Sequence, residues 1–478
     1  MTARALLRFT VVVWLAATAS AQQLPDRSAA PKPGPLPEFT PPAVERRTLS
    51  NGLPVWIVER HKVPVVQVSL VIKAGAFADP ANKAGAASLT ADMLDEGAGS
   101  RGALEIADAV DYLGAQLSSG SSFDYSTVDL FVPVARLPEA LAIMADVALR
   151  PTFPDKELQR VRDERLAALV QVEDDPEALI AIAFPRLVFG AHRYGAPAGG
   201  TASAVKSLTA DDLRAFHQRF YVPTQSALIV AGDTTATAVL PQLESAFGGW
   251  KGAAAPAAAL SAPTPATARQ VYLIDKPGAA QSQIAIGGVG VPRSTPDYFA
   301  IRVMNTVLGG AFTSRLNSNL REEHGYAYGA SSSFAMRLSA GPFIASAGVQ
   351  TDKTADALRE FFKELDGIQK PIPHDELARA RNYLAHQLPL GFETTGSVAS
   401  SLVAAFIYDL PADFFATYRQ RVLAVTADEA QRAANRHIQM DKLTVVIVGD
   451  RKAIEAGVRA LNLGPLKIVT PGELGILQ

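Results

Sequence analysis

At 478 residues, with 48% apolar and 19% charged residues, the chain has the make-up of a globular protein and too much length for one ordinary core. A formal net charge of −2, with no block of five like charges, lacks the basic patch that a nucleic-acid or polybasic membrane binder carries. Zero cysteines exclude disulfides, so a chain of this size holds together by its core alone.

Residues 1–21 read as a secretory signal. Arg4 and Arg8 form a basic start, an apolar stretch runs from Phe9 to Ala17, and Ala19-Ser20-Ala21 supplies a small-residue cleavage pattern. The stretch is too short to span a bilayer comfortably, and no later run approaches 18 apolar residues, so no membrane span is expected after cleavage. A signal without cysteines points to a periplasmic protein of a Gram-negative bacterium. A Pro- and Ala-rich leader fills 22–44.

The predicted elements then follow in order. Strands are expected over 55–60 and 65–75, joined by the His61-Lys62-Val63-Pro64 turn. Helical periodicity covers 83–96, stopped by Gly97, and again 103–115. A strand pair spans 117–123 and 126–133, with Ser121-Ser122-Phe123-Asp124 near the turn. Pro154 opens a long helix through Glu173, and Asp174-Asp175-Pro176 breaks it. An Ala/Pro-rich linker over 251–268 separates an N-terminal domain (45–250) from a C-terminal one (269–478). There, strands at 270–275 and 282–289 precede a helix at 296–309.

The chain also repeats itself. Residues 209–233 match 426–450 without a gap at an offset of 217, each with a Thr-capped helix (Thr209, Thr426) followed by a strand ending in Gly-Asp. A second match, 153–160 against 372–379, has an offset of 219, the drift that a loop-length change produces. Strands first and helices in runs, present twice, predict an α+β fold of two tandem homologous α/β-sandwich domains.

Four stretches carry a family resemblance: LSNGLPVWIVE (49–59), KAGAFADPANKAGAASL (73–89), FGAHRYGAPAGG (189–200) and LREEHGYAYGASSSF (320–334). Together they resemble the pitrilysin/insulinase family of inverzincin metallopeptidases, close to its short two-domain bacterial and mitochondrial-processing-peptidase branch. The resemblance implies two similar domains forming a half-clamshell, and cleavage of peptides held extended. It also implies His-x-x-Glu-His on a helix, with a third ligand roughly 80 residues on. In that frame the histidines are Ser88 and Asp92, the glutamate is Ala91, and the third ligand falls near Ala168. A zinc hydrolase needs two imidazoles one turn apart and a carboxylate to take a proton from the bound water, and none is present. The chain is therefore expected to hold no cofactor of its own. Asp92, Asp95 and Glu96 share a helix face, which admits a hard cation, but a solvated acidic helix end answered by Arg101 is the favoured reading. The seven histidines include no pair at i, i+4.

What the resemblance leaves intact lies in the second domain. Arg321 and Tyr328 match, residue by residue, the family's arginine and the tyrosine seven residues on that approach the scissile carbonyl, with Tyr326 as the neighbouring alternative. A guanidinium and a phenol donate hydrogen bonds to an oxygen gaining negative charge. His324 is read as solvent-facing, Gly309-Gly310 as a helix end or loop, and Ser331–Ser333 as strand edge. The expected function is the non-zinc subunit of a periplasmic heterodimeric zinc metallopeptidase. A homologous sister subunit would carry the zinc, and Arg321 and Tyr328 would bind peptide and act in trans as catalytic residues. The alternative is a catalytically silent peptide-binding or scaffold homodimer.

Overall fold

The computed structural model describes residues 38–252 and 260–475. The signal segment, the leader up to residue 37 and residues 253–259 of the linker lie outside the described residues.

Fourteen strands are described. In the first part of the chain these are β1 (Glu45–Thr48), β2 (Pro54–Glu59), β3 (Val65–Ile72), β4 (Gly97–Ala98), β5 (Arg101–Gly102), β6 (Gln116–Ser121), β7 (Ser126–Pro133) and β8 (Ser226–Gly232). In the second they are β9 (Gln270–Asp275), β10 (Gln281–Val289), β11 (Ala327–Phe334), β12 (Pro342–Gln350), β13 (Thr444–Gly449) and β14 (Leu466–Val469). They form two six-stranded sheets, ordered β1-β2-β8-β3-β7-β6 and β11-β12-β10-β13-β9-β14, and β4 with β5 forms a short ladder apart. Five strands correspond one to one, so the duplication is real in space: β8 runs parallel to β2 and antiparallel to β3, as β13 does to β9 and β10. The sixth place differs. The first sheet closes with antiparallel β1, before the repeat, and the second with parallel β14, after it.

Both matched helices carry the expected caps. Thr209 and Asp212 form a capping box on helix Ala210–Phe220, and Thr426 and Glu429 one on helix Ala427–His437. Pro154 precedes helix Asp155–Val172, and its counterpart is His374–Gln387.

Strands β8 and β13 are buried at every position, which means both sheet faces are covered. The cover on one face comes from the other repeat. Helix Pro176–Phe189 lays Leu179, Ile180, Ala183 and Phe184 against Ile274, Ala285, Val446 and Val448 of the second sheet. Helix Thr395–Ile407 packs reciprocally on β3 and β8, with Phe406 edge-on to Trp56 of β2 at 5.9 Å. A buried polar node joins the repeats as well. Asp124 accepts hydrogen bonds from Tyr194 (3.1 Å), Tyr408 (3.0 Å) and the Leu338 amide (3.0 Å).

Two expected boundaries shift. The helix expected over 83–96 is Ala86–Asp92. It starts late because the buried Asp79 carboxylate accepts from the Gly85 and Ala87 amides at 2.7 and 2.8 Å, fixing the first turn there. It stops early because Gly97 is drawn into the short ladder and bonded to Thr152. The next helix is Ala103–Tyr112, ended by Gly114 at φ +61°.

Candidate functional site

Helix Ala86–Asp92 sits on β6 and β7, with the Ser119 hydroxyl of edge strand β6 bonded to the Ala91 carbonyl at 2.7 Å. Its N-terminus presses on the Gly199-Gly200 loop. Gly85 has φ +96°, and a Cβ there would lie 2.6 Å from the Gly199 carbonyl oxygen, so only glycine fits. Asp79, held at this helix start, is pushed up to about 6 by burial, which outweighs its two amide bonds and the nearby Arg193 and Arg165.

Ser88 and Asp92 are partly buried on one face, and Ala91 is fully buried. Facing them is Arg165, from helix Asp155–Val172, with a side chain only 14% exposed. Its guanidinium donates to the Ser88 hydroxyl (3.1 Å), the Gly199 carbonyl (3.0 Å) and the Asp92 carboxylate. Burial raises the Asp92 pKa, and the Arg165 charge opposes that rise. Ala168, where the sequence reading looked for a missing third ligand, is exposed, and the residue that reaches the helix is Arg165, one turn earlier. Zinc does not fit these residues: a hydroxyl, a methyl and a carboxylate already bound to a guanidinium offer no ligand set, and the site holds a side-chain cation of its own.

The acidic run is also resolved differently from the expectation. Glu96 pairs with Arg160, Asp92 with Arg165, and Asp95 is half-buried with its pKa raised by burial. Arg101, expected to answer this run, bonds Asp146 at 3.0 Å instead. Among the described residues no group of three His, Asp or Glu side chains is placed to hold a metal ion.

Arg321 and Tyr328 are brought together. Arg321 lies in a six-residue π-helical segment, Ser318–Glu323, where the His324 amide reaches back five residues to the Asn319 carbonyl at 3.1 Å. Such segments are rare and often found at functional sites. Tyr328 stands on β11, the edge of its sheet, 85% exposed. The Arg321 guanidinium lies 5.1 Å from the Tyr328 ring centre and 4.8 Å from that of Phe312, itself 61% exposed. Tyr326 is half-buried and stacked on His324 at 4.9 Å, part of the packing rather than the exposed pair. Gly309 ends helix Tyr298–Leu308 and is clamped, its carbonyl accepting from the Ser332 amide at 3.0 Å. Sequence reasoning missed Arg165 and Phe312. Only the position of Arg165, the last charge before the apolar run that holds the expected third-ligand position, was a signal.

A family model described as "Insulinase (Peptidase family M16)" matches residues 55–201, and one described as "Peptidase M16 inactive domain" matches 207–384. The chain is 27% identical to an uncharacterised zinc protease of Streptomyces coelicolor over 86% of its own length and 91% of that protein. It is 25% identical to a non-peptidase homologue of Helicobacter pylori over 84% of its length and 92% of the relative. Among solved structures, a peptidase M16 inactive domain from Pseudomonas fluorescens superposes with a TM-score of 0.80 at 26% identity, covering 85% of this chain and 98% of the other. Since proteins named as proteases and as non-peptidases are about equally similar, the residues at 88, 91, 92 and 165 decide between them. Two repeats in the family's order, one with a guanidinium in the metal's place, identify the chain as a catalytically inactive member of the insulinase (M16) peptidase family.

Proposed function

We propose that this protein is the non-zinc subunit of a periplasmic two-subunit metallopeptidase, binding peptide and stabilising charge for a homologous subunit that carries the zinc. The observation that carries this reading is the Arg321–Tyr328 pair, adjacent and exposed in a chain whose own metal position is filled by Arg165. Tyr328 makes no hydrogen bond through its hydroxyl among the described residues, so that donor is available to a substrate oxygen. The Arg321 guanidinium lies near two aromatic rings and pairs through Nε with the Glu322 carboxylate at 3.2 Å, contacts that orient its remaining N–H groups. Edge strand β6, beside helix Ala86–Asp92, offers an extended peptide main-chain partners. The basic, apolar and small-residue pattern of residues 1–21 supports export.

The test is reconstitution. The purified chain is mixed with the zinc-motif homologue from the same organism, and cleavage of an unstructured peptide is followed. Activity is expected from the mixture and not from this chain alone. Full activity of this chain by itself would overturn the reading. So would an active mixture that is indifferent to Arg321→Ala and Tyr328→Phe, which leaves the silent scaffold.

A further inference from the structure

The π-helical segment that carries Arg321 has a second face. Its Ser318, Asn319 and Glu323 line a cavity of about 240 Å³, walled otherwise by helices Tyr298–Leu308, Thr354–Gly367 and His374–Gln387 and by the short helix Arg315–Asn317. Arg321 is not part of that lining. Val307, Ala311, Ala380 and Tyr383 contribute the less polar part of the wall. The space is small for a drug-sized ligand and sufficient for one extended side chain.

The two cations on this wall are already answered. Arg315 pairs with Glu376 at 2.7 Å, and Arg379 with Asp375 at 2.7 Å. Comparison of the repeats shows what the second one lacks. Arg379 stands 219 residues after Arg160, which in the first repeat gathers three carboxylates, those of Glu96, Glu157 and Glu164. Arg379 holds Asp375 alone, and Glu323 and Glu364 on the cavity wall form no ion pair among the described residues. Lys363 is bonded to Glu360 at 2.8 Å and pairs with neither. Asn319 adds an independent sign. It is 3% exposed, and its side-chain amide donates to Glu360 at 2.8 Å and to Glu364 at 2.7 Å. Those two bonds fix which way the amide is turned, and they leave its buried oxygen without a donor. A buried acceptor in that state is uncommon and costly.

The groups left unanswered around this cavity are thus two carboxylates and an amide oxygen, all of them acceptors. That balance disfavours an anion, and no trio of His, Asp or Glu side chains is placed to hold a metal ion among the described residues. A primary ammonium brings a positive charge and three N–H donors in one small group, and an aliphatic stem suits Val307, Ala311 and Ala380. We propose that the cavity between Asn319, Glu323 and Glu364 binds a primary ammonium on an aliphatic stem, supplied by a free diamine or by a lysine side chain of a peptide. This site rests on its own residues and does not depend on the role of Arg321 and Tyr328.

The experiment is calorimetric titration of the full chain, alone, with 1,5-diaminopentane and with a short N-acetylated peptide whose single lysine is either free or acetylated. Binding is expected, weakened about tenfold or more by Glu364→Gln and by Glu323→Gln. The first variant keeps an oxygen that accepts from Asn319, and the second changes an exposed residue, so the thermal midpoint of Glu323→Gln is expected to stay where it is. Preference for the free-lysine peptide over the acetylated one assigns the side chain, whereas binding of the diamine alone assigns the free amine. No binding of either probe, or equal binding by wild type and both variants, overturns the proposal. A partner subunit is absent from this measurement, so its failure leaves the reconstitution test untouched, and the reverse holds.

Discussion

The guanidinium of Arg165 lies against the carboxylate of Asp92, 73 residues before it, and 3.1 Å from the hydroxyl of Ser88, linking two helices. The family resemblance implies a metal cation between the same two helices. Here the cation is covalently part of the chain, and it satisfies the hydrogen-bonding groups that a lost metal would leave bare.

Arg165→Ala is expected to lower stability by about 1–3 kcal/mol, less than for a fully buried pair because Asp92 is partly solvated. Denaturant unfolding measures it. An unchanged midpoint would mean that water replaces the guanidinium without cost.

Restoring ligands is not expected to restore zinc while Arg165 remains. The Ser88→His, Ala91→Glu, Asp92→His variant takes up little zinc. Adding Arg165→Ala raises uptake about tenfold or more, since a like charge a few ångströms away opposes a divalent ion. Metal analysis after dialysis reads the difference.

Asp79 predicts a pH dependence. Its pKa in the folded protein is about 6 against an ordinary 3.8, so between those values the folded state binds more protons than the unfolded state. The stability it contributes is complete below pH 4 and is lost as pH rises through 6, a fall of about 3 kcal/mol. Comparing wild type with Asp79→Asn across pH 4–7 isolates this group, and a wild-type advantage that instead grows with pH would contradict it.

Tyr328→Phe is expected to cut turnover of the reconstituted peptidase by about 10²-fold while leaving the thermal midpoint unmoved, because the ring is 85% exposed. Tyr326→Phe serves as the control, with turnover unchanged.

Phe184 is 1% exposed and sits in the helix that one repeat lends to the other's sheet. Phe184→Ala should cost about 3–5 kcal/mol, and in calorimetry both repeats should melt together at the lower temperature. Two separated transitions would show that the exchanged helices do not couple the repeats.

Much of this was legible in the linear chain, for local reasons. Alternation and apolar runs mark β2, β3 and β7, Thr-x-x-acid marks both capped helices, and the 217-residue repeat marks the duplicated fold. The absence of imidazoles at 88 and 92, and the retained Arg321 and Tyr328, are likewise facts of residue identity. Other features depend on which distant groups meet. The helix over 86–92 is trimmed by Asp79 and by the ladder at Gly97, neither of which periodicity registers. Arg101 turned to Asp146 because a carboxylate 45 residues on came closer than its own neighbours.

Residue identity alone thus determined the family's fold and the loss of the ligand set, because hydrophobic period, capping chemistry and the donor atoms themselves are written locally. The tertiary structure alone decided that Arg165 faces Ser88 and Asp92 and that each repeat covers the other's sheet. Each of these is a contact between chain segments whose separation in sequence carries no information about their distance in space.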